Sequence, residues 1–527
     1  MEVPGRRRRW VRIPGRILSD RPVNGKSPSG ELGDFRSSFA CAREVVLRGL
    51  GLVYASAFAS FWAQALGLVG ERGILPAGTF LDAVRAELGD TAWSAMPTLF
   101  WLRSDDLALH VACALGLLLA AALALGLAPR LAAFGLWALY LSISQIGQIF
   151  LGYQWDALLL EAGLLAIWLA PGGLRPRPSE PPRAPLFLVR WLVFRLFLLS
   201  GLVKLLSGDP SWRDLAAMRY HYWTQPIPTW TSALAHAAPA AVHTVETAGT
   251  LAIEIGLPFL VFAPRPLRLV AAAGFTLIQL LINATGNYGF FGLLTVVLCA
   301  SLVDDAVWRR VPGIRRLVPA EPPRPRAAPP LWRRAGAAAA LGFVLVVTTA
   351  HALHRVVRGL ALPEPVAAAV ELVEPLRSFN AYGLFATMTK DRLEIEVEGS
   401  RDGREWLAYE FRYKPDRLDR RPPFAGVHMP RLDWQMWFAA LATCADAPWF
   451  LAFQRRLLQA SPPVLGLLAR DPFAGEPPRY LRSTVYRYRF TDAATRRATG
   501  NWWEREELGP YCPTLELAGD RLRIAEP

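Results

Sequence analysis

Charge is scarce in this sequence. Only 19% of its 527 residues are Asp, Glu, Lys or Arg, while 53% are hydrophobic; soluble domains carry about 25% charged residues. That balance argues against a water-soluble globule and for a chain that buries much of its length in a bilayer. Cysteine is scarce too: five residues, with no CxxC pair and no zinc-like spacing, so neither a disulfide scaffold nor a thiolate metal site is expected. HExxH, GxSxG and GxxxxGK are absent, which removes sequence support for zinc-hydrolase, serine-nucleophile and phosphate-loop chemistry. No internal repeat is visible.

What is present is a series of apolar runs. A spanning helix needs about 20 mostly apolar residues, and runs that meet or approach this cover 45–69, 107–127, 131–151, 157–170, 186–206, 241–262, 267–282, 289–303 and 335–350. The fourth, seventh and eighth are short. The reading is a polytopic α-helical membrane protein with about nine spans, followed by a soluble, β-rich α+β C-terminal domain.

The formal net charge is +14, but the basic residues sit in clusters between apolar runs rather than on one polar face, so they read as topology signals and no nucleic-acid partner is expected. Lys and Arg collect in the loops that stay in the cytoplasm. Arg6 to Arg16, Arg130, Arg175 to Arg183, Arg265 with Arg268, and the run from Arg309 to Arg334 fall in alternate loops, while the acidic segment from Glu71 to Asp106 falls between them. The expected organisation is a disordered basic cytoplasmic tail over 1–43, a helical membrane domain over 44–352 with a loop on the outer face at 207–239, and a non-cytoplasmic domain over 353–527. The Ala, Arg and Pro bias points to a bacterial inner membrane with the last domain in the periplasm; in a eukaryotic cell the corresponding side is the ER lumen.

In the tail, 392–399 and 406–413 alternate apolar and polar around Asp402 and Gly403, as a β-hairpin does. A further strand is expected over 479–490, and helices over 434–444 and 449–458, the second with Pro448 in its first turn. Cys113 and Cys299 fall inside apolar runs and read as small buried hydrophobes. Cys444 and Cys512 share the tail and can pair if it faces an oxidising compartment.

Ionisable residues inside spans are costly and usually pair or line a cavity. Glu161, Arg195, Lys204 and Glu254 are the candidates here. The loop after Lys204 crowds Asp209, Trp212, Arg213, Tyr220, His221 and Gln225 among prolines, as a lid, a groove or an interfacial connector would. His221, His236 and His243 lack a carboxylate at ligand spacing, so no metal or cofactor is expected.

Several blocks together resemble the lipase maturation factor family. They are YQWDALLLEAGLLAIWLAP from Tyr153, SGLVKLLSGDPSW from Ser200, YHYWTQPIPT from Tyr220, TGNYGFFGLL from Thr285 and RPPFAGVHMPRLDWQMWFAAL from Arg421. The resemblance implies a membrane-bound maturation or folding factor whose partners are secreted clients, lipases among them, and the bilayer itself. By matching position it makes Gln154, Trp155, Asp156, Glu161, Lys204, Trp212, Tyr220, His221, Gln225, Pro226, Pro228, Asn287, Tyr288, Arg431, Asp433 and Trp434 the functional candidates, without assigning them roles. Trp223 departs from the acidic residue expected there in many relatives. The alternative reading is a membrane-embedded enzyme distantly like the vitamin K-dependent carboxylase group, with Lys204 or His221 as an acid/base group. That reading requires Lys204 to be free of a carboxylate partner.

Overall fold

The computed structural model describes residues 38–317, 319, 330–357 and 359–525. The basic N-terminal tail, Arg324 and Arg326 lie outside them. Every apolar run read as a span forms helix. The bundle helices are α1 (Ala40–Trp62), α2 (Asp106–Leu125), α3 (Pro129–Ile146), α4 (Gln154–Leu169), α5 (Arg183–Leu206), α6 (Ala240–Leu251), α7 (Arg265–Thr285), α8 (Phe291–Cys299) and α9 (Leu331–Val356). Among the described residues, six are long and apolar enough to cross a membrane, α6 counting through to Phe262; α3, α4 and α8 are shorter or more polar. The chain is an integral membrane protein. The outward faces of α2 and α7 expose Leu107, Leu118, Leu277 and Leu280, as helices facing lipid do.

The sixth run is not one regular helix. After Leu251 it widens into a π turn over Ala252–Gly256 and tightens into a 3-10 turn over Leu257–Phe262. Pro258 explains the break: it has no N–H to donate, and its ring would strike the carbonyl of residue 254 in a regular helix. The distortion swings Glu254 toward α5, where Gly201 leaves no Cβ in its way.

The bundle has two unlike ends. At the proximal end Arg190 donates to the Ser301 carbonyl at 2.9 Å, Arg268 to that of Leu302 at 2.9 Å and Arg130 to that of Ala170 at 2.8 Å, while Arg265 pairs with Asp304 at 2.7 Å. The distal end carries the C-terminal region. Its sheet is antiparallel, in the order β2 (Leu407–Ala408), β1 (Arg392–Ser400), β3 (Tyr480–Phe490), β4 (Trp503–Ala518), β5 (Arg521–Ile524), with Ile395 opposite Val485 in the β1–β3 register. Helices α10 (Arg431–Ala439) and α11 (Pro448–Leu458) complete it. The hairpin around Asp402 forms, but its second strand, expected over 406–413, is limited to Leu407–Ala408; the Asp402 carboxylate accepts from the Arg404 and Glu405 amides at 2.9 and 3.0 Å.

One apolar core spans both parts. Phe58 and Phe150 of the bundle belong to the same buried cluster as Ile395, Val397 and Phe450 of the C-terminal region, and the Trp449 ring meets Phe150 edge-on at 6.0 Å.

Cys444 and Cys512 form a disulfide that ties the α10–α11 connection to β4 across 68 residues of sequence. Closing a loop of that length stabilises the fold by about 4 kcal/mol through the unfolded chain. Reductant should therefore lower the melting temperature of the detergent-solubilised protein, and Cys444→Ser with Cys512→Ser should reproduce that drop and abolish further sensitivity. An equal effect of reductant on the double variant would contradict this.

Candidate functional site

The candidate residues converge on the seam between the distal end of the bundle and the C-terminal region. Asp156 is in the first turn of α4 and Arg431 in the first turn of α10; both side chains are fully buried. Arg431 donates through Nη1 to Asp156 Oδ2 at 2.9 Å and through Nη2 to Oδ1 at 2.8 Å, the fork-to-fork geometry that suits a guanidinium and a carboxylate. Its Nη1 also donates to the Phe150 carbonyl at 2.6 Å, and the Tyr140 hydroxyl donates to Asp156 Oδ1 at 2.5 Å. Above this knot Trp155 stacks on Tyr153 at 4.4 Å and meets Trp434 edge-on at 4.7 Å.

One turn further along α4, Glu161 pairs with Arg195 of α5. Its other oxygen accepts from the Tyr382 hydroxyl at 2.6 Å, and Arg195 donates to the Asn380 carbonyl at 2.6 Å. Gln154 binds both backbone groups of Gly383, donating at 3.3 Å and accepting at 3.0 Å. The stretch after α9 is thus threaded into the bundle rather than left in solvent.

A third knot holds the loop after α5. Arg392, at the start of β1, donates to the carbonyls of Trp223 at 3.0 Å, Gln225 at 2.5 Å and Pro226 at 2.8 Å, and pairs with Glu394 at 2.5 Å. Lys414 balances Glu394 from its other side at 3.1 Å. Gln225 donates to the Thr285 carbonyl at 2.7 Å and accepts from the Tyr288 hydroxyl at 2.8 Å, and that hydroxyl lies 3.3 Å from His221 Nε2. Asn287 donates to the Pro423 carbonyl at 2.9 Å and accepts from the Ala425 amide at 2.7 Å, while its own carbonyl accepts from the Trp434 indole at 3.2 Å. Pro228 pairs with Gly286 in an isolated antiparallel bridge. Trp212 donates to the Phe385 carbonyl at 3.1 Å, and the Tyr220 ring lies under Lys390 at 5.9 Å.

Asp433 and Lys204 stand one step back from the seam. Asp433 accepts from the amides of Tyr413 and Lys414 at 2.7 and 2.9 Å, fixing the turn that carries Lys414. Lys204 lies 2.6 Å from Glu254 and donates to the Ser200 carbonyl at 3.2 Å. This corrects the acid/base reading, whose condition was a Lys204 without a carboxylate partner. His221 serves it no better: burial, reinforced by the charge of Lys204, pushes its imidazole down to about 4, too weak a base to suit proton abstraction near neutrality.

Seam residues that sequence reasoning missed include Arg392, Lys414, Asn380, Tyr382, Ser60 and Gln64. Arg392 opens a strand in which polar residues alternate with apolar ones, so its charge reads as part of a solvated face. Ser60 and Gln64 bind the Met429 amide and carbonyl at 2.8 and 2.9 Å, but a lone Ser or Gln in an apolar run carries no signal.

The seam should respond to acid. His428, 3.0 Å from the Ser60 hydroxyl, is also pushed down to about 4 by burial, then by Arg431 and Arg412. In the unfolded chain both imidazoles take up protons near 6.5; the unfolded state therefore binds more protons between the two values, and stability falls as pH falls through that window. Asp433, raised from 3.8 to about 6 by burial, and Asp416, also raised by burial, work in the opposite direction, while burial lowers His236 as it does the other two imidazoles, so three histidines stand against two carboxylates. Melting temperature should drop between pH 7 and pH 5, and His428→Gln should shrink the drop. The same drop in variant and wild type would contradict this.

The lipase maturation factor transmembrane domain model matches residues 41–310, and the lipase maturation factor C-terminal domain model matches residues 378–513. Lipase maturation factor 2 of Homo sapiens is 35% identical over 595 aligned residues, covering 91% of this chain and 83% of that protein. Lipase maturation factor 1 of Bos taurus is 34% identical over 527, covering 94% and 92%. No solved structure matches. With both domain models matching in order, on the two parts that the seam joins, the chain belongs to the lipase maturation factor family.

Proposed function

We propose that this chain is a membrane-bound maturation factor that helps secreted proteins, lipases among them, to fold and assemble on the side of the membrane that carries its C-terminal region. The observation that carries the reading is the seam itself. The blocks that resemble the family supply the contacts that hold the C-terminal region on the bundle, and the charged candidates there are engaged in pairs and carbonyl contacts rather than arranged as nucleophile and base. Such a body presents a fixed surface to a client. Phe438 and Leu441, 39% and 46% exposed, offer apolar contacts on that surface, with Phe438 braced against Tyr153 at 5.7 Å.

The proximal end, with its arginines, faces the cytoplasm in this reading, and the C-terminal region faces the periplasm of a bacterium or the lumen of the ER. Arginine clustering supports the orientation, and so does a disulfide in the C-terminal region.

The test compares cells with the gene intact and deleted, by proteomics and activity assays of the exported proteins. A small set of exported hydrolases should lose specific activity on deletion and regain it with the wild-type gene. It should also regain it with the paired variant Lys204→Met, Glu254→Gln, which removes both charges of that pair together. An unchanged set of exported activities would overturn the reading.

A further inference from the structure

The proximal end of the bundle holds a cavity of about 390 Å³, away from the seam. It forms where α4 ends and α1, α3 and α5 begin: Arg43 is in the first turn of α1, Arg130 is the second residue of α3, Leu169 closes α4 and Pro182 precedes α5. A cavity of that size is in the range that holds a small ligand. Three arginines line it, Arg43, Arg130 and Arg177, and no Asp or Glu does so among the described residues. The positive ends of three helix dipoles also meet here. That of α1 is met by the Asp305 carboxylate, which accepts from the Cys41 amide at 3.0 Å, whereas α3 and α5 have no side-chain cap.

The arginines differ in how they are engaged. Arg43 is fully buried in the wall, donates to the Ser179 hydroxyl at 3.2 Å and lies 3.4 Å from Glu44. Arg130 donates through Nε and Nη2 to the Ala170 carbonyl at 3.1 and 2.8 Å, which leaves Nη1, beside Gly172, without a hydrogen bond among the described residues. Arg177 is exposed and has no hydrogen bond or ion pair among the described residues. The carboxylates close by are already engaged: Glu44 stands between Arg43 and Arg48, 3.7 Å from the latter, and Glu180 accepts from the Ser38 hydroxyl at 3.0 Å and the Phe39 amide at 3.2 Å. Positive charge is therefore in excess at the mouth of the cavity. One turn along α3 from Arg130, on the same side of the helix, Phe134 is 54% exposed, and Leu131 is 73% exposed. Guanidiniums at the level of the helix ends, next to exposed apolar side chains further into the span, follow the order of headgroup and acyl chain in a lipid.

We propose that this cavity binds a phosphate-bearing anion, with Arg177 and the free edge of Arg130 as its donors, and that the headgroup of an anionic phospholipid of the proximal leaflet is the occupant its surroundings favour. Arginine suits the role because its planar fork meets two phosphate oxygens at once. Basic pockets between membrane helices hold anionic headgroups in the same way. The bundle then carries a lipid site at the end opposite the C-terminal region.

The experiment titrates the full-length protein in neutral detergent with short-chain phosphatidylglycerol, with phosphatidylcholine of the same chains and with glycerol 3-phosphate, and counts bound molecules by native mass spectrometry. Phosphatidylglycerol should bind in preference to phosphatidylcholine, and Arg177→Gln should weaken that binding by about tenfold, the effect of losing one charge-assisted bond. Arg130→Gln combined with Arg177→Gln should abolish it; the single variant, whose side chain makes no bond in the fold, carries the test if the double variant folds poorly. Arg316→Gln, at an exposed arginine of the same end that does not line the cavity, should change nothing. Glycerol 3-phosphate bound as tightly as the lipid, with the same dependence on Arg177, would uphold the site and assign it to a soluble phosphate ester. Binding of neither would overturn the proposal, as would an unchanged affinity in Arg177→Gln. So would an equal loss in Arg316→Gln, which would mean that diffuse charge alone attracts the anion.

Discussion

Arg431→Gln alone should loosen the C-terminal region from the bundle and destabilise the protein by about 3–5 kcal/mol, the cost of leaving a buried charge without its partner. The charge left behind is Asp156, fully buried, with Tyr140 as its remaining donor. Asp156→Asn should cost a similar amount for the mirror reason, because it strands the guanidinium. Arg431→Lys should not restore the wild type, since one ammonium cannot meet both carboxylate oxygens and the Phe150 carbonyl in the geometry of the fork. Thermal unfolding in detergent and the rate of tryptic cleavage within residues 401–421 report the change. A variant as stable and as resistant as the wild type would contradict it.

Arg392→Met should have an effect of the same order, about 3–5 kcal/mol, by a different route. Charge stays balanced, because Lys414 still faces Glu394 at 3.1 Å. What is lost is the common donor to three main-chain carbonyls of the loop at 223–226, each a charge-assisted bond of about 1.5–3 kcal/mol, partly offset because the guanidinium no longer has to be buried. The local signature separates it from Arg431→Gln: amide hydrogen exchange should speed up over 218–226 first, with the Asp156 knot still closed. Unchanged protection of that loop would mean that Arg392 does not order it.

The spans were legible because an unbroken run of about 20 apolar residues matches the thickness of a bilayer and little else, and the alternation of arginines grouped their ends as the fold does. The β1–β2 hairpin and β3 were legible because their polar and apolar residues alternate. The long strand β4 was not: it runs Trp-Glu-Arg-Glu-Glu-Leu-Gly-Pro, a polar edge-like stretch, and its register slips opposite β3 near Gly509, whose φ of +130° and neighbouring Pro510 break any period-two pattern. The break in the sixth span is marked in the sequence by Pro258 alone, because a π turn leaves the hydropathy of a run unchanged.

The site was half legible. Asp156, Glu161 and Lys204 stand out as charges in or beside apolar runs, and each has an opposite charge within the fold. Sequence could not show that Asp156 is matched from 275 residues away, or that Glu161 is capped by Tyr382, because nothing local marks which tail residue reaches into the bundle. Resemblance put Arg431 and Trp434 among the candidates; only the fold shows that they hold the seam together.

The central claim is that the seam is architecture that supports maturation, not a reaction centre. The direct measurement is the specific activity of the exported hydrolases that depend on the gene, in cells carrying Asp156→Asn, Arg431→Gln, or both. Each single variant leaves one buried charge alone, whereas the double variant removes both charges and keeps side chains able to bond to each other. The account predicts low activity with either single change and recovery toward wild type with the two combined. A double variant that is folded, inserted and as inactive as the singles would contradict it, because the charges themselves would then be needed for more than holding the two parts together.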